Sequence, residues 1–299
     1  TNGWTASNVT IDSNTLIGGY YGIALRGPTS GARPEGHKIT NNIVQDFYLY
    51  GIYNYYANRV VIKNNDISRP TRTTLSTFYG MYVYRSTNDS IIGNKIHDAG
   101  TGTYTAYSMY IGYSTNTATN HFVVANNAIY NNNTTGTQYS MYVLSTCTYF
   151  DIHHNTVQVT ANGTGTIRNF YFSSTPNNLN FTNNLSSIEG SGTGTKNCYY
   201  SNSSTTFTGG NNLFYNGATA GTNNTAYYSG NQATIAAWST ATSTTGNSGV
   251  NPSIVSGTYL PLAGPADNGG TPLSYLPMDI DGATRSTSTP DYGAVEFVG

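Results

Sequence analysis

The stretch Val60-Val61-Ile62-Lys63-Asn64-Asn65-Asp66-Ile67-Ser68 decides the fold. Val60 and Ile62 alternate with other residues, the period of a half-buried strand. An asparagine follows Ile62 after two residues, and an apolar residue follows that asparagine after one. The same grammar recurs as Ile11..Asn14.Leu16, Ile39..Asn42.Val44, Ile91..Asn94.Ile96, Val124..Asn127.Ile129 and Ile152..Asn155.Val157. Weaker copies stand at Phe181..Asn184.Ser186 and Asn212.Phe214. The asparagines are 23 to 33 residues apart, so the chain is built of repeats.

A second column lies 8 to 15 residues after each asparagine: Gly22-Ile-Ala-Leu, Gly51-Ile-Tyr-Asn, Gly80-Met-Tyr-Val, Ser108-Met-Tyr-Ile, Ser140-Met-Tyr-Val, Asn169-Phe-Tyr-Phe and Asn197-Cys-Tyr-Tyr. Strand alternation sends its second residues inward (Ile23, Ile52, Met81, Met109, Met141, Phe170, Cys198). The third residues then point outward: Ala24, Tyr53, Tyr82, Tyr110, Tyr142, Tyr171 and Tyr199. Short strands, a corner asparagine in each repeat and length variation confined to one connection predict an all-β, single-stranded right-handed parallel β-helix. It has about eight coils and a C-terminal cap. Residues 1–215 form the coils. Residues 216–299 form an irregular final coil and cap of the same domain, with a short helix over 232–238 and the remainder closing the open end and its unpaired strand edge. The asparagines stack as an internal amide ladder, and asparagine tolerates the left-handed backbone of a corner.

Composition narrows the function. The 299 residues carry 12 basic and 13 acidic side chains, 8% charged, against about 25% in an ordinary domain. A net charge of −1 leaves no basic stripe for tracking phosphates, so nucleic acid is not an expected partner. No apolar run approaches the ~18 residues of a membrane span. Cys147 and Cys198 lie almost two coils apart and are not expected to pair. A surface of Asn, Thr, Ser and Tyr with few lysines suits an extracellular protein.

The ending Asp279-x-Asp281-Gly282-x-x-Arg285, followed by Pro290-Asp-Tyr-Gly-Ala-Val-Glu296, resembles secreted bacterial right-handed parallel β-helix proteins of the choice-of-anchor Q type. Trp238, Asn251-Pro-Ser-Ile-Val and Leu260-x-Leu-Ala-Gly-Pro match the approach to that ending, and residues 9–215 are similar to the pectate-lyase-like repeat. The resemblance implies secretion to the bacterial cell surface. For the enzymes among such proteins it implies substrate along the Tyr strand, with a Lys or Arg base and charge-neutralising Ca²⁺ or cations in lyases, or paired carboxyls in glycosidases.

That strand carries no acid. Its outward positions add Arg26, Tyr55, Tyr84, Gly112, Leu144, Ser173 and Ser201, with Arg85 one step past Tyr84. Of the other acids, Asp12, Asp89 and Asp151 precede the asparagine corner and Asp46, Asp66 and Asp98 follow it, as solvated turn carboxylates. Asp46 and Asp66 are near neighbours on adjacent turns, with Asp98 able to join them. His153 and His154 are adjacent, so they face opposite ways and cannot chelate one metal. His37 and His121 read as structural. Asp279-x-Asp281-Gly282 opens like a Ca²⁺ loop but lacks the later ligands, so no motif supports a cofactor.

The expected function is therefore a non-catalytic surface, adhesin or filament module. Tyr53, Tyr55, Tyr82, Tyr84, Tyr110, Tyr142 and Tyr171 bind a glycan or a neighbouring protein subunit, and Arg26 and Arg85 reach acidic sugars. The alternative is a pectate-lyase-like polysaccharide lyase or glycoside hydrolase. Its chemistry would sit on the 68–107 loops, among Arg69, Arg72, Arg85, His97 and Asp98.

Overall fold

The computed structural model describes residues 6–144, 146–173, 176–202, 207–262 and 264–297. Each coil contributes three short strands, for example Val61–Lys63, Asp66–Ser68 and Phe78–Tyr84. Equivalent strands of successive coils pair in parallel, with Ile62 opposite Ile91, Ile67 opposite Ile96 and Met81 opposite Met109. The result is a right-handed β-solenoid with three walls. The first and second walls have eight strands each, and the third has nine because Asn231–Gln232 adds antiparallel to its end.

The predicted ladder forms the corner between the first and second walls. Asn65 shows the unit: its Oδ1 accepts from both the backbone N–H and the Nδ2 of Asn42, each at 3.0 Å. Its Nδ2 donates to Ile39 O at 2.9 Å and to Asn94 Oδ1 at 2.9 Å. The buried amides of the ladder are thus satisfied, as burial requires. The ladder extends one rung beyond the sequence pattern, because the Asn212 N–H donates to Asn247 Oδ1 at 2.9 Å. The left-handed residue is the one before the ladder position: Asn41 (φ 55°), Asn64 (φ 54°), Asn126 (φ 53°), His154 (φ 51°) and Asn183 (φ 61°). Asparagine therefore plays two roles at neighbouring positions, one turning the chain and one bonding between coils.

The three walls close on a continuous apolar core, with Ile62, Ile91, Ile67, Ile96, Met81 and Met109 all fully buried. The third wall departs from strict alternation. In Ala106–Gly112 both Ser108 and Met109 face inward, so Tyr107 and Tyr110 face outward three residues apart. In the early coils the first of the two inward positions must be small, whereas Asn169 fills it in a later coil. A Cβ on Gly51 would stand 2.5 Å from Gly80 O and 2.7 Å from Ile67 Cγ2.

Two expectations are corrected here. The strand Thr195–Ser201 sits one residue out of the predicted register, with Tyr199 opposite Phe170 and Tyr200 opposite Tyr171. Tyr199 is fully buried among aromatic side chains, Tyr200 takes the outward place, and Cys198 moves to the small-residue position. The C-terminal residues also do not all close the open end. The helix Ile235–Thr242, capped by Thr234, lays the fully buried Trp238 on Tyr199 and Phe214 of the last coils. Beyond it the chain returns along the outside of the second wall as a strap that covers Leu213, Leu185 and Ala128. The left-handed corner residues hold this strap. Asn211 donates to Gly269 O, Asn183 to Thr271 O and Asn126 to Met278 O, at 2.9, 2.7 and 2.7 Å. Lys95 completes it with an ion pair to Asp281 at 3.0 Å.

Candidate binding face: a herringbone of tyrosines

The outward bend of the third wall puts two full columns of tyrosine on one surface. The first is Tyr21, Tyr50, Tyr79, Tyr107 and Tyr139, ending in Arg168. The second runs from Tyr53 through Tyr82, Tyr110, Tyr142 and Tyr171 to Tyr200 and Tyr227. A short third column holds Arg26, Tyr55 and Tyr84. Sequence alternation missed the first column because it assumed one outward residue in two. The Tyr50, Tyr79, Tyr107 and Tyr139 spacing three before each Tyr of the second column was the available signal.

Through the early coils, as far as Tyr107 and Tyr110, the rings within a column are nearly parallel; beyond them the rings turn, to 69° between Tyr110 and Tyr142 and 88° between Tyr171 and Tyr200. Tyr79 and Tyr107 lie 4.9 Å apart at 4°, and Tyr82 and Tyr110 lie 4.8 Å apart at 12°. Between columns they are nearly perpendicular in the same early coils, at 88° for Tyr79 and Tyr82 and 76° for Tyr107 and Tyr110, but at 34° for Tyr139 and Tyr142. Offset stacking and edge-to-face contact are the two geometries the ring quadrupole favours. Apart from the exposed Tyr21, the rings of the two columns are half-buried, so each keeps part of its face at the surface. Burial, reinforced by the neighbouring phenols, pushes Tyr50, Tyr107 and Tyr142 up to about 12 and Tyr82 and Tyr110 higher still. These five phenols, at the centre of the face, are therefore neutral at any physiological pH.

Arginines sit on these rings. Arg26 lies 5.9 Å from the Tyr55 centroid, and Arg85 lies 4.9 Å from Tyr113 and 5.8 Å from Tyr84. Arg168, which sequence reasoning passed over, lies 3.4 Å from Tyr200 and 4.5 Å from Tyr171.

The loop candidates divide. His97 is clamped between Asp98 at 2.7 Å on Nδ1 and Asp66 at 3.0 Å on Nε2, with the Tyr130 ring stacked on it at 4.7 Å. Burial works against its charge, but the two carboxylates outweigh burial and hold its pKa above the ordinary value. Asp98 also accepts from Asn131. Both imidazole nitrogens are thus occupied. Asp46 does not join this group: it accepts from the backbone N–H groups of Thr71 and Arg72. Arg69 is fully buried and spends its donors on the carbonyls of Ala99, Tyr48 and Ser76. Arg85 lies at the other end of the seven-residue strand Phe78–Tyr84, ~20 Å away by strand rise. A cavity of about 550 Å³ opens beside this cluster, lined by Arg69, Arg72, Leu75, Asp98, Asn131 and Asn133 among others.

The remaining acids and histidines are bound into the fold. Asp89 is fully buried rather than solvated. His121 meets Asp151 at 2.8 Å, and His37 accepts from the Val9 N–H. His153 is buried, and His154 lies under the strap against Gly293 O. Asp279 accepts from the N–H groups of Asp281, Ala283 and Glu296, so its oxygens shape the turn. Cys147 and Cys198 are both free and buried. Among the described residues no group of three or more His, Cys, Asp or Glu side chains is placed to hold a metal, and no helix is long and apolar enough to cross a membrane.

A protein-family model described as periplasmic copper-binding protein (NosD) matches residues 2–125. That segment has no cysteine, its Met81 and Met109 are sealed in the core, and His97 has both nitrogens occupied, so its described residues do not fit a copper ion. No curated protein and no solved structure matches the chain.

Proposed function

We propose that this chain is a non-catalytic, extracytoplasmic β-solenoid module whose tyrosine face holds a glycan, as part of a surface, adhesin or filament protein. The observation that carries this reading is the two-column herringbone: a half-exposed, uncharged phenol surface that runs along the solenoid axis. Such a surface offers ring faces to sugar C–H groups and hydroxyls to sugar oxygens. The polar, lysine-poor composition and the match of residues 2–125 to a family described as periplasmic support a location outside the cytoplasm. Retention of the protein on insoluble polysaccharides tests it. Tyr82→Ala with Tyr110→Ala should release the protein, and unchanged retention would return the face to a purely structural role.

The second reading is a polysaccharide lyase or hydrolase, favoured by the polar cavity next to His97 and Asp98. It requires His97 to leave one of its two carboxylates. Release of unsaturated or reducing ends, abolished by His97→Ala, would establish it.

A further inference from the structure

The eight arginines fall into two groups. Arg59 and Arg285 meet carboxylates, those of Glu35 and Glu296. Arg33, Arg69 and Arg72 donate to backbone carbonyls. The other three, Arg26, Arg85 and Arg168, have no side-chain hydrogen bond and no ion pair among the described residues. All three are mounted on the rings of the tyrosine face.

Arg168 is the sharpest case. Its guanidinium lies against Tyr200, Tyr171 and Tyr139, and its Nε is buried without a partner. A guanidinium donates five N–H groups in a fixed fork that matches a carboxylate or sulfate in two-point contact. A ring supplies a π face but accepts little of that donor capacity. Near Arg85 the charge is doubled, since Arg33 lies 4.8 Å from the Tyr56 centroid and Arg85 lies 5.8 Å from the same ring. No Asp or Glu stands in any strand of the third wall, and nearby Glu35 is already taken by Arg59.

We propose that these arginines read negative charge on the ligand, so that the glycan held by the tyrosine face is a linear acidic polysaccharide bearing carboxylate or sulfate groups. The inference rests on the glycan reading above and names its chemical class. Arg26 and Arg168 are five coils apart, ~24 Å at the ordinary strand spacing. They also stand in different columns, so the chain crosses the face obliquely from the Arg26 and Arg85 edge to Arg168. A second copy of this protein is a poorer occupant: two such faces bring guanidinium against guanidinium with no acid between them.

Affinity electrophoresis through gels containing alginate, dextran sulfate, a neutral glucan or poly(dT) tests the proposal. The wild-type protein should be retarded by alginate or dextran sulfate at least tenfold more strongly than by the neutral glucan, and 0.5 M NaCl should remove most of the difference. Comparing the two acidic gels separates carboxylate from sulfate. The Arg26→Gln, Arg85→Gln, Arg168→Gln triple variant should lose at least tenfold of the acidic retention while keeping its far-ultraviolet circular dichroism and a cooperative melt, because these side chains make no hydrogen bond or ion pair among the described residues. Equal retardation by the neutral glucan, or a triple variant that binds acidic glycan as before, overturns the charge-reading role while leaving the glycan reading in place. Stronger retardation by poly(dT) than by either acidic glycan also overturns it. No retardation by any polysaccharide overturns both.

Discussion

Ser86 and Asp89 face each other at 2.5 Å, and solvent reaches neither. Ser86 has one hydroxyl proton, and Ala57 O is also within its reach. Both contacts are satisfied only if the serine donates to Ala57 O and accepts a hydrogen bond from a protonated Asp89 carboxyl. The carboxyl is therefore protonated, in agreement with burial pushing it up to about 8 against the hydrogen bonds donated by Val60 and Asn54.

Asp89 thus makes stability depend on pH. The folded protein keeps this proton at pH values where the unfolded chain, titrating near 3.8, has released it. Rising pH therefore favours unfolding between about 4 and about 8, by up to about 5 kcal/mol. Asp89→Asn should flatten that part of the pH profile in thermal melts. An unchanged slope would mean that the carboxyl is ionised in the fold.

The amide ladder predicts a position effect. Asn127→Ala removes the acceptor for the Asn94 N–H and Nδ2 in a fully buried setting, and should cost about 2–4 kcal/mol in denaturant unfolding. Asn14→Ala, at the exposed first rung, should cost less than about 1 kcal/mol. Equal costs would deny that the ladder acts as a continuous buried element.

Phenol titration reads the tyrosine face without any ligand. Tyr50, Tyr82, Tyr107, Tyr110 and Tyr142 should remain protonated at pH 11 in the folded protein. In denaturant all 27 tyrosines should ionise near the ordinary value of about 10. Folded and denatured absorbance curves that coincide would contradict the packed herringbone.

The strap should be separable from the coils. Arg285 is buried, with Glu296 at 3.1 Å and the Asn126 side chain at 2.9 Å. Glu296→Ala leaves that guanidinium without its carboxylate and should loosen the strap by about 3–5 kcal/mol. Limited proteolysis should then clip residues 264–297 while the amide protection of Asn155 and Asn184 persists. Simultaneous loss of both would show that strap and coils unfold as one.

The sequence made legible what repeats strictly. Asn14 through Asn212 were visible because each rung must bond the next. Their last partner, Asn247, was hidden by the helix Ile235–Thr242 that lengthens the repeat. The first tyrosine column was hidden by the double inward step at Ser108 and Met109, since simple alternation sends Tyr107 to the wrong side. Tyr199 and Tyr200 could not be told apart in sequence; which of them faces inward is set by pairing with Phe170. The strap was read as an end cap because its motif acids bond mainly within the turn, while its anchors are corner asparagines 58 to 152 residues away.

The most direct test of the tyrosine face is the affinity of the Tyr82→Ala, Tyr110→Ala variant for soluble polysaccharide, measured by calorimetry beside the wild-type protein. Removing two adjacent stacked rings should weaken binding at least tenfold while far-ultraviolet circular dichroism stays unchanged. Wild-type affinity in a correctly folded variant would contradict a glycan held on that face.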